Sequence, residues 1–409
     1  MNERMFSPRG VVVVGASTRP GKLGYAVAKN MIESGYSGKL HLVNPKGGEV
    51  FGIPIHTSVA AVPDPADLAV ILIPASYIPQ ALEDIGQRGI PYAIIGSGGF
   101  SETGSEGKAL EDACLVIARQ YNIRVIGPNC VGYIDTHEPI NTSFLPVPSP
   151  LPGDIAFISQ SGAICDIVID WTRGLGYGLS RLLSIGNQMD LKESDFLAPT
   201  AQDPYTRVIA MYLEGVDNGD VFVREASQVA REKPIVVLKV GRSEAGRAAV
   251  SSHTGALAGA DTAYEAAFNK AGVLRAKTTE EMFDWSRALA WAPLPAGRRM
   301  AILTNAGGPG AITTDALVDE GLQLAQFSSQ TKKTLQSHLP AAASINNPVD
   351  MLAQAGPETF SECWQALLDD EGVDGVLVIL PPPPVSTAEA IAAAMVPVIK
   401  AAKKPVLAS

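Results

Sequence analysis

The stretch VVVVGASTRPGKLG, residues 11–24, runs four β-branched apolar residues into a glycine-rich turn and then into YAVAKNMIESG, residues 25–35, whose apolar spacing is helical. Strand, glycine turn, helix is the opening unit of a parallel α/β sheet. Gly15, Gly21 and Gly24 let the backbone close tightly and approach a phosphate. The helix that follows the turn, which ends Leu23 and Gly24, offers unpaired N–H groups and the positive end of a dipole. Ser17 adds a hydroxyl and Lys22 a charge, so a phosphorylated ligand is expected here. A ligand-free turn of the same fold would carry similar glycines, so the motif needs company before it means binding.

Working outward, short apolar runs recur between helix-length segments: LHLVN (40–44), LAVILI (68–73), YAIIG (92–96) and RVIG (124–127). Near-continuous apolar strands alternating with helices predict a Rossmann-like sheet covered on both faces. The second strand ends Asn44, Pro45, Lys46. A nicotinamide dinucleotide site usually places Asp or Glu there for the ribose hydroxyls, whereas a cation suits an extra phosphate such as the ribose 3′-phosphate of CoA. Glu49, three residues on, softens that discrimination. Loops at the carboxyl ends of other strands should line the same crevice, through Ile73 and Pro74, Ser97 and Gly98, and Pro128 and Asn129.

The 409 residues suggest about two or three domains. A Pro-rich stretch, SFLPVPSPLPGD (143–154), precedes a new strand, IAFIS (155–159), and WAPLPAGRR (291–299) precedes another, MAILTN (300–305). The expected domains are therefore 1–145, 154–291 and 298–409. The last residues, KKPVLAS (403–409), read as a strand only just begun, so the third domain is expected to be incomplete. With 46% hydrophobic residues, 39 Gly and 30 Pro, the chain has the composition of a globular α/β protein. Its net charge of −10, with scattered basic residues, argues against a nucleic-acid surface. Cys114, Cys130, Cys165 and Cys363 show no metal-ligand spacing and read as reduced thiols, which points to the cytoplasm. No apolar run approaches the roughly 18 residues of a membrane span.

Among only five histidines, His253 stands in SSHTGALAGAD (251–261), where small neighbours let an imidazole protrude and leave room for a phosphate. Imidazole is a competent nucleophile near neutral pH when another group holds its second nitrogen. Glu214, at the end of RVIAMYLE (207–214), is placed to be that group, although a solvated strand-end carboxylate would read the same. A phosphorylated imidazole needs fixed positive dipoles, which Ser159, Gln160, Ser161 and Gly162 can supply where a strand meets a helix. Read without His253, the same four residues are an N-cap and a turn glycine. The segment TNAGGPGAITTDAL (304–317) repeats the pattern, with Asn305, Gly307, Gly308 and Gly310 as a further candidate anion loop.

Taken in order, GASTRPGKLG, VNPK, GPNC, SQSGA, IGNQMD, YLEG, SSHTGALAG and TNAGGPG resemble the ADP-forming acetyl-CoA and acyl-CoA synthetases of the succinyl-CoA synthetase superfamily. The resemblance implies a CoA-binding Rossmann-like domain followed by two flavodoxin-like ligase domains. By the match, His253 is the phosphorylated histidine, Glu214 its supporting carboxylate, and Asn187 and Asp190 lie on a loop close to the reaction centre. It further implies that phosphate and acyl-CoA give acyl-phosphate and CoA, that the histidine takes the phosphoryl group, and that a swinging loop carries it to ADP. ATP or ADP and Mg2+ are then expected on an ATP-grasp domain or subunit, for which these residues hold no candidate, and a homo- or hetero-oligomer is expected. The readings that compete are a CoA-binding regulatory module and, disfavoured by the second strand, an NAD-dependent oxidoreductase.

Overall fold

The computed structural model describes residues 3–146, 148–254 and 260–408, with backbone only at 3 and 250–254. The chain forms two compact units that meet in sequence between Ala290 and Trp291.

The first unit holds two sheets. In the first, β1 (Gly10–Val14), β2 (Lys39–Val43), β3 (Glu49–Val50), β4 (Ile53–His56), β5 (Leu68–Ile71), β6 (Tyr92–Ile95) and β7 (Arg124–Ile126) take the order β3-β4-β2-β1-β5-β6-β7. All pairings are parallel except β3 with β4. Every residue of β1 is buried, and successive side chains go to opposite cores. Val11 and Val13 pack with Val27, Ala28 and Met31 of α1 (Leu23–Glu33). Val12 and Val14 pack with Ala81, Leu82 and Ile85 of α2 (Ile78–Arg88) and with Cys114 and Ala118 of α3 (Ser105–Gln120). Two covered faces explain why the opening run is valine throughout.

The second sheet has the order β14-β13-β12-β10-β11-β8-β9. Its strands are β8 (Tyr133–Asp135), β9 (Ile140–Asn141), β10 (Pro152–Ser159), β11 (Leu179–Ser184), β12 (Val208–Leu213), β13 (Ile235–Lys239) and β14 (Leu274–Ala276). Its helices are α4 (Gly162–Gly174), α5 (Leu197–Ala201), α6 (Gly219–Val229), α7 (Glu244–Thr254), α8 (Asp261–Ala271) and α9 (Thr279–Trp291). Here the structure differs from the expected division. Strands β8 and β9 fall in the 1–145 segment but pair antiparallel onto the second sheet. Buried charge fixes that edge: Asp135 accepts from Arg181 of β11 at 2.7 Å and from the Tyr133 hydroxyl at 2.9 Å. The crossover between sheets thus precedes the Pro-rich stretch instead of coinciding with it.

The second unit has one parallel sheet, with β15 (Arg299–Thr304), β16 (Gln323–Leu324), β18 (Gly375–Ile379) and β19 (Val406–Ala408) in the order β16-β15-β18-β19, and β17 (Val349–Asp350) pairing the end of β15. Helices α10 (Gly307–Asp319), α11 (Ser329–His338), α12 (Pro357–Asp369) and α13 (Ala388–Ala401) accompany it. Segment 403–408 enters this sheet as β19, where Val376 pairs with Val406.

All three sheets share one topological feature. Each places its first parallel strand, β1, β10 or β15, between the strand that follows it and the strand reached by crossing back. The crevice outside the carboxyl end of that strand is where open α/β sheets bind ligands.

Candidate active site

The first crevice opens beyond β1. Gly15 has φ +96°, and a Cβ there would stand 2.5 Å from the Leu72 carbonyl; a Cβ on Gly24 would stand 2.1 Å from the Gly15 carbonyl. Only glycine allows α1 to start so close to the turn. Asn44 fixes the turn from the side, donating to the Ala16 carbonyl at 2.8 Å while its Oδ1 accepts from the Lys46 N–H at 3.0 Å. The result is a cavity of about 420 Å³ lined by residues that include Gly15, Ser17, Lys22, Leu23, Gly24, Asn44 and Lys46. Lys22 occupies the N-cap position of α1 without a side-chain cap bond, so the helix N-terminus faces the cavity. Thr18 and Arg19 also line it, and Arg19 is a cation that sequence reading passed over; its place in a Gly/Pro-rich turn between two glycines was the available signal.

Further along the same edge, the Ser97 hydroxyl donates to the Ile73 carbonyl at 2.5 Å and the Asn129 N–H donates to the Ser97 carbonyl at 2.9 Å. Ile73, Ser97 and Asn129 thus form a continuous rim. Gly21, Ile73, Pro74, Ser97, Gly98, Pro128 and Asn129 lie outside the cavity's lining.

The second crevice opens beyond β10. The Ser159 hydroxyl accepts from the Ser161 N–H at 3.0 Å and donates to the Ser161 carbonyl at 2.8 Å, closing the turn. Ser161 is the N-cap of α4, and Gly162 is its first residue. Gln160 joins this turn to the next strand: its Oε1 accepts from the backbone N–H groups of Glu214 and, at 3.0 Å, Gly215, and its Nε2 donates to the Gly215 carbonyl at 2.8 Å. The helix N-terminus and Glu214 are therefore locked together at the switch between β10 and β12. Glu214 is 8% exposed. The role of Gln160 as a clamp on Glu214 was not legible in the sequence, which shows only neighbouring polar residues.

Glu193, 1% exposed, lies on the loop that follows β11, and its Oε2 has no hydrogen-bond partner among the described residues. Burial pushes its carboxyl up to about 7. Lys239, at the end of β13, is equally buried, and burial reinforced by Arg275 brings its ammonium down to about 8.

A polar network ties the two sheets. The Asn187 amide donates to Glu102 at 2.6 Å, to Ser101 at 3.1 Å and to Glu111 at 3.2 Å, and its Oδ1 accepts from Asn129 at 3.3 Å. Burial alone would raise Glu102, but bonds from Asn187 and from the Gly99 and Phe100 N–H groups keep it below the usual carboxylate range. Asp190 is used differently from Asn187. Its Oδ2 accepts from Arg124 at 2.8 Å and from the Val125 N–H at 2.9 Å, so it staples the loop to β7.

Helix α7, whose backbone reaches Thr254, runs beside the Ser101–Thr103 turn of this network. The side chain of His253, and residues 255–259 entirely, lie outside the described residues.

In the second unit, the Asn305 amide donates to the Pro381 carbonyl at 3.2 Å, while its buried Oδ1 has no partner among the described residues. Gly307 and Gly308 begin α10, and Gly310 lies in its first turn. The Asp350 carboxylate stands beside Gly307, where a Cβ would meet its Oδ2 at 3.1 Å. That helix N-terminus thus has a carboxylate of the chain next to it.

Three families match in chain order: the CoA binding domain over residues 9–136, the succinyl-CoA ligase like flavodoxin domain over 152–289, and the Ligase-CoA domain over 300–409. These define a CoA-binding sheet followed by succinyl-CoA-ligase-type flavodoxin-like domains. The chain is 44% identical to acetate–CoA ligase [ADP-forming] I of Archaeoglobus fulgidus, across 93% of this chain and 55% of that one. It is also 44% identical to the acetate–CoA ligase [ADP-forming] I subunit alpha of Pyrococcus furiosus, across 88% of this chain and 78% of that one. A solved acetyl-coenzyme A synthetase 1 of Ca. Korarchaeum cryptofilum, in complex with phosphate and ADP, superposes with a TM-score of 0.95 at 37% identity, covering 99% of this chain and 88% of that one. The chain belongs to the ADP-forming acetyl-CoA and acyl-CoA synthetase family of the succinyl-CoA ligase superfamily. It spans just over half the length of the Archaeoglobus relative.

Proposed function

We propose that this chain is the CoA-binding and phosphohistidine-bearing part of an ADP-forming acyl-CoA synthetase. CoA lies along the first crevice, its phosphates on the N-terminus of α1 with Lys22, Arg19 and Lys46. A phosphate oxygen attacks the thioester carbonyl carbon; the C–S bond breaks and CoA leaves as thiolate. A ring nitrogen of His253 then attacks phosphorus, the bond from phosphorus to the acyl oxygen breaks, and the carboxylic acid leaves as carboxylate. Glu214 accepts the hydrogen bond of the other ring nitrogen and stabilises the cation that develops there. The α4 N-terminus, with Ser161 and Gly162, receives the phosphoryl charge, and Asn187 positions the loop beside it. Acetate, named for two of the relatives and as its acetyl-CoA product for the third, is the first acid to test. The phosphoryl group passes to ADP on an ATP-grasp domain or subunit, with Mg2+ bound there. Four free, buried cysteines support a reducing compartment, the cytoplasm. Among the described residues no helix is long and apolar enough to cross a membrane.

The observation that carries this reading is Gln160: it binds the helix N-terminus and the Glu214 strand end into one unit at a topological switch point. The test is intact-mass analysis of the chain with acetyl-CoA, phosphate and magnesium, with and without a nucleotide-binding partner and ATP, under basic conditions that preserve phosphohistidine. A phosphate-sized gain absent from His253→Ala is expected. No gain under any condition, with an active partner, would leave a CoA-binding regulatory module.

A further inference from the structure

Glu102 has no part in the reaction as written above, yet its carboxylate joins the two sheets of the first unit. It lies in the single turn Ser101–Thr103 that precedes α3. Its Oε1 accepts from the Gly99 N–H and, at 3.2 Å, the Phe100 N–H, so the glycine loop after β6 wraps around it. Its Oε2 accepts from the Asn187 amide at 2.6 Å, across from the other sheet. Glu111 of α3, 3% exposed, completes the arrangement. Its Oε2 accepts from the Ser101 hydroxyl at 2.7 Å and from Asn187 at 3.2 Å, and its Oε1 accepts from Lys108 at 3.3 Å. One amide thus bridges two carboxylates that would otherwise repel, and each carboxylate has further donors on its other oxygen.

The turn held in this way has a neighbour on each of the two proposed sites. Through Asn187 it reaches Asn129, whose backbone N–H bonds the Ser97 carbonyl on the rim of the CoA crevice. Helix α7, which carries the backbone of His253, runs beside it. None of residues 244–249 of that helix is buried. A helix with so little burial takes its place from the few groups beside it.

We infer that Glu102 is a positioning residue for phosphoryl transfer from the acyl phosphate: with Asn187 it holds the Ser101–Thr103 turn as the seat of helix α7, and so ties the histidine helix to the rim of the CoA crevice. The inference rests on the phosphohistidine reading and gives that reading a seat. It also separates two half-reactions. Transfer from the acyl phosphate uses the seat, whereas exchange with ADP takes place on the ATP-grasp partner and does not.

The experiment follows phosphate gain by intact mass along two routes, from acetyl-CoA and phosphate and from ATP and magnesium through the nucleotide-binding partner. It compares the native protein with Glu102→Gln, Asn187→Ala and the double variant. Glu102→Gln keeps an acceptor for the Gly99 and Phe100 N–H groups but turns an N–H toward the Asn187 amide. Its rate from acetyl-CoA should fall by about tenfold to a hundredfold, while its rate from ATP and its CoA affinity stay within about twofold of native. Asn187→Ala should repeat the pattern, and the double variant should lose no more than the worse single one, because both substitutions cut the same bond. CoA affinity, set at α1, reports whether each variant is folded; if Glu102→Gln is not, the two routes in Asn187→Ala decide. Equal loss along both routes, no loss along either, or losses that multiply in the double variant would overturn the assignment of Glu102 and leave the phosphohistidine reading standing. No phosphate gain by the native protein along either route would remove that reading and the assignment of Glu102 with it.

Discussion

Two helix N-termini in the first unit use the same backbone device in opposite electrostatic settings. At α1 the N–H groups face a cavity of about 420 Å³ whose cations, Arg19, Lys22 and Lys46, are exposed. At α4 the N-terminus is clamped by Gln160 to a nearly buried Glu214, with Lys239 and Glu193 buried in the same sheet and its loops. Exposed charge in high dielectric attracts a ligand while leaving its chemistry alone, whereas buried charge changes what a reacting group will do. On the proposed function, the comparison separates a binding site from a reaction site within one fold.

The largest effect should come from the buried side. Glu214→Gln keeps the shape and removes the charge, and should slow phosphorylation by about 10² to 10⁴; mass-based rates showing a loss below tenfold would return Glu214 to the status of a strand-end carboxylate. Next comes Glu193. Burial holds its carboxyl near 7 in the folded chain against an ordinary value of 4.5, so ionising it opposes folding. The penalty is absent below about pH 4, grows as pH rises, and is complete above about pH 7. Glu193→Gln should therefore stabilise the protein by up to about 3 kcal/mol at pH 8 and by little at pH 4; melting curves with a constant offset across that range would contradict this.

The exposed side should respond more mildly, and to salt. Lys46→Ala should weaken CoA binding by about tenfold at low ionic strength, with the difference narrowing as salt is raised. Titration calorimetry at two salt concentrations distinguishes this from a buried contact, which salt would leave unchanged. The smallest effect belongs to Asp190. Its carboxylate is spent on Arg124 and the Val125 N–H, so Asp190→Ala should lower stability by about 1 kcal/mol while CoA affinity and phosphorylation rate stay within about twofold. A large loss of rate in a folded Asp190→Ala protein would put that carboxylate back at the reaction centre.

What the sequence made legible was whatever follows an apolar strand. The turns at residues 15–24, 159–162 and 305–310 could be found because parallel strands covered on both faces are continuous apolar runs. Strand β11, LSRLLS, was hidden by Arg181, whose charge looks like a surface residue until its burial with Asp135 is seen. The short hairpin strands β8 and β9 carry too few residues for a period to show, and their partners are distant in sequence. At the candidate site, Glu214 could be proposed from its position at a strand end. Gln160 and Glu193 could not, because Gln160 acts on partners more than fifty residues away and Glu193 is set apart by its burial, neither of which spacing encodes.

The central claim is that binding and phosphoryl transfer occupy separate crevices, and one protein variant tests both halves. His253→Ala should show no phosphate gain by intact mass from acetyl-CoA and phosphate, while its CoA affinity by calorimetry stays within about twofold of the native value. Parallel loss of phosphorylation and CoA binding in a folded variant, or a phosphate gain that survives the substitution, would contradict it.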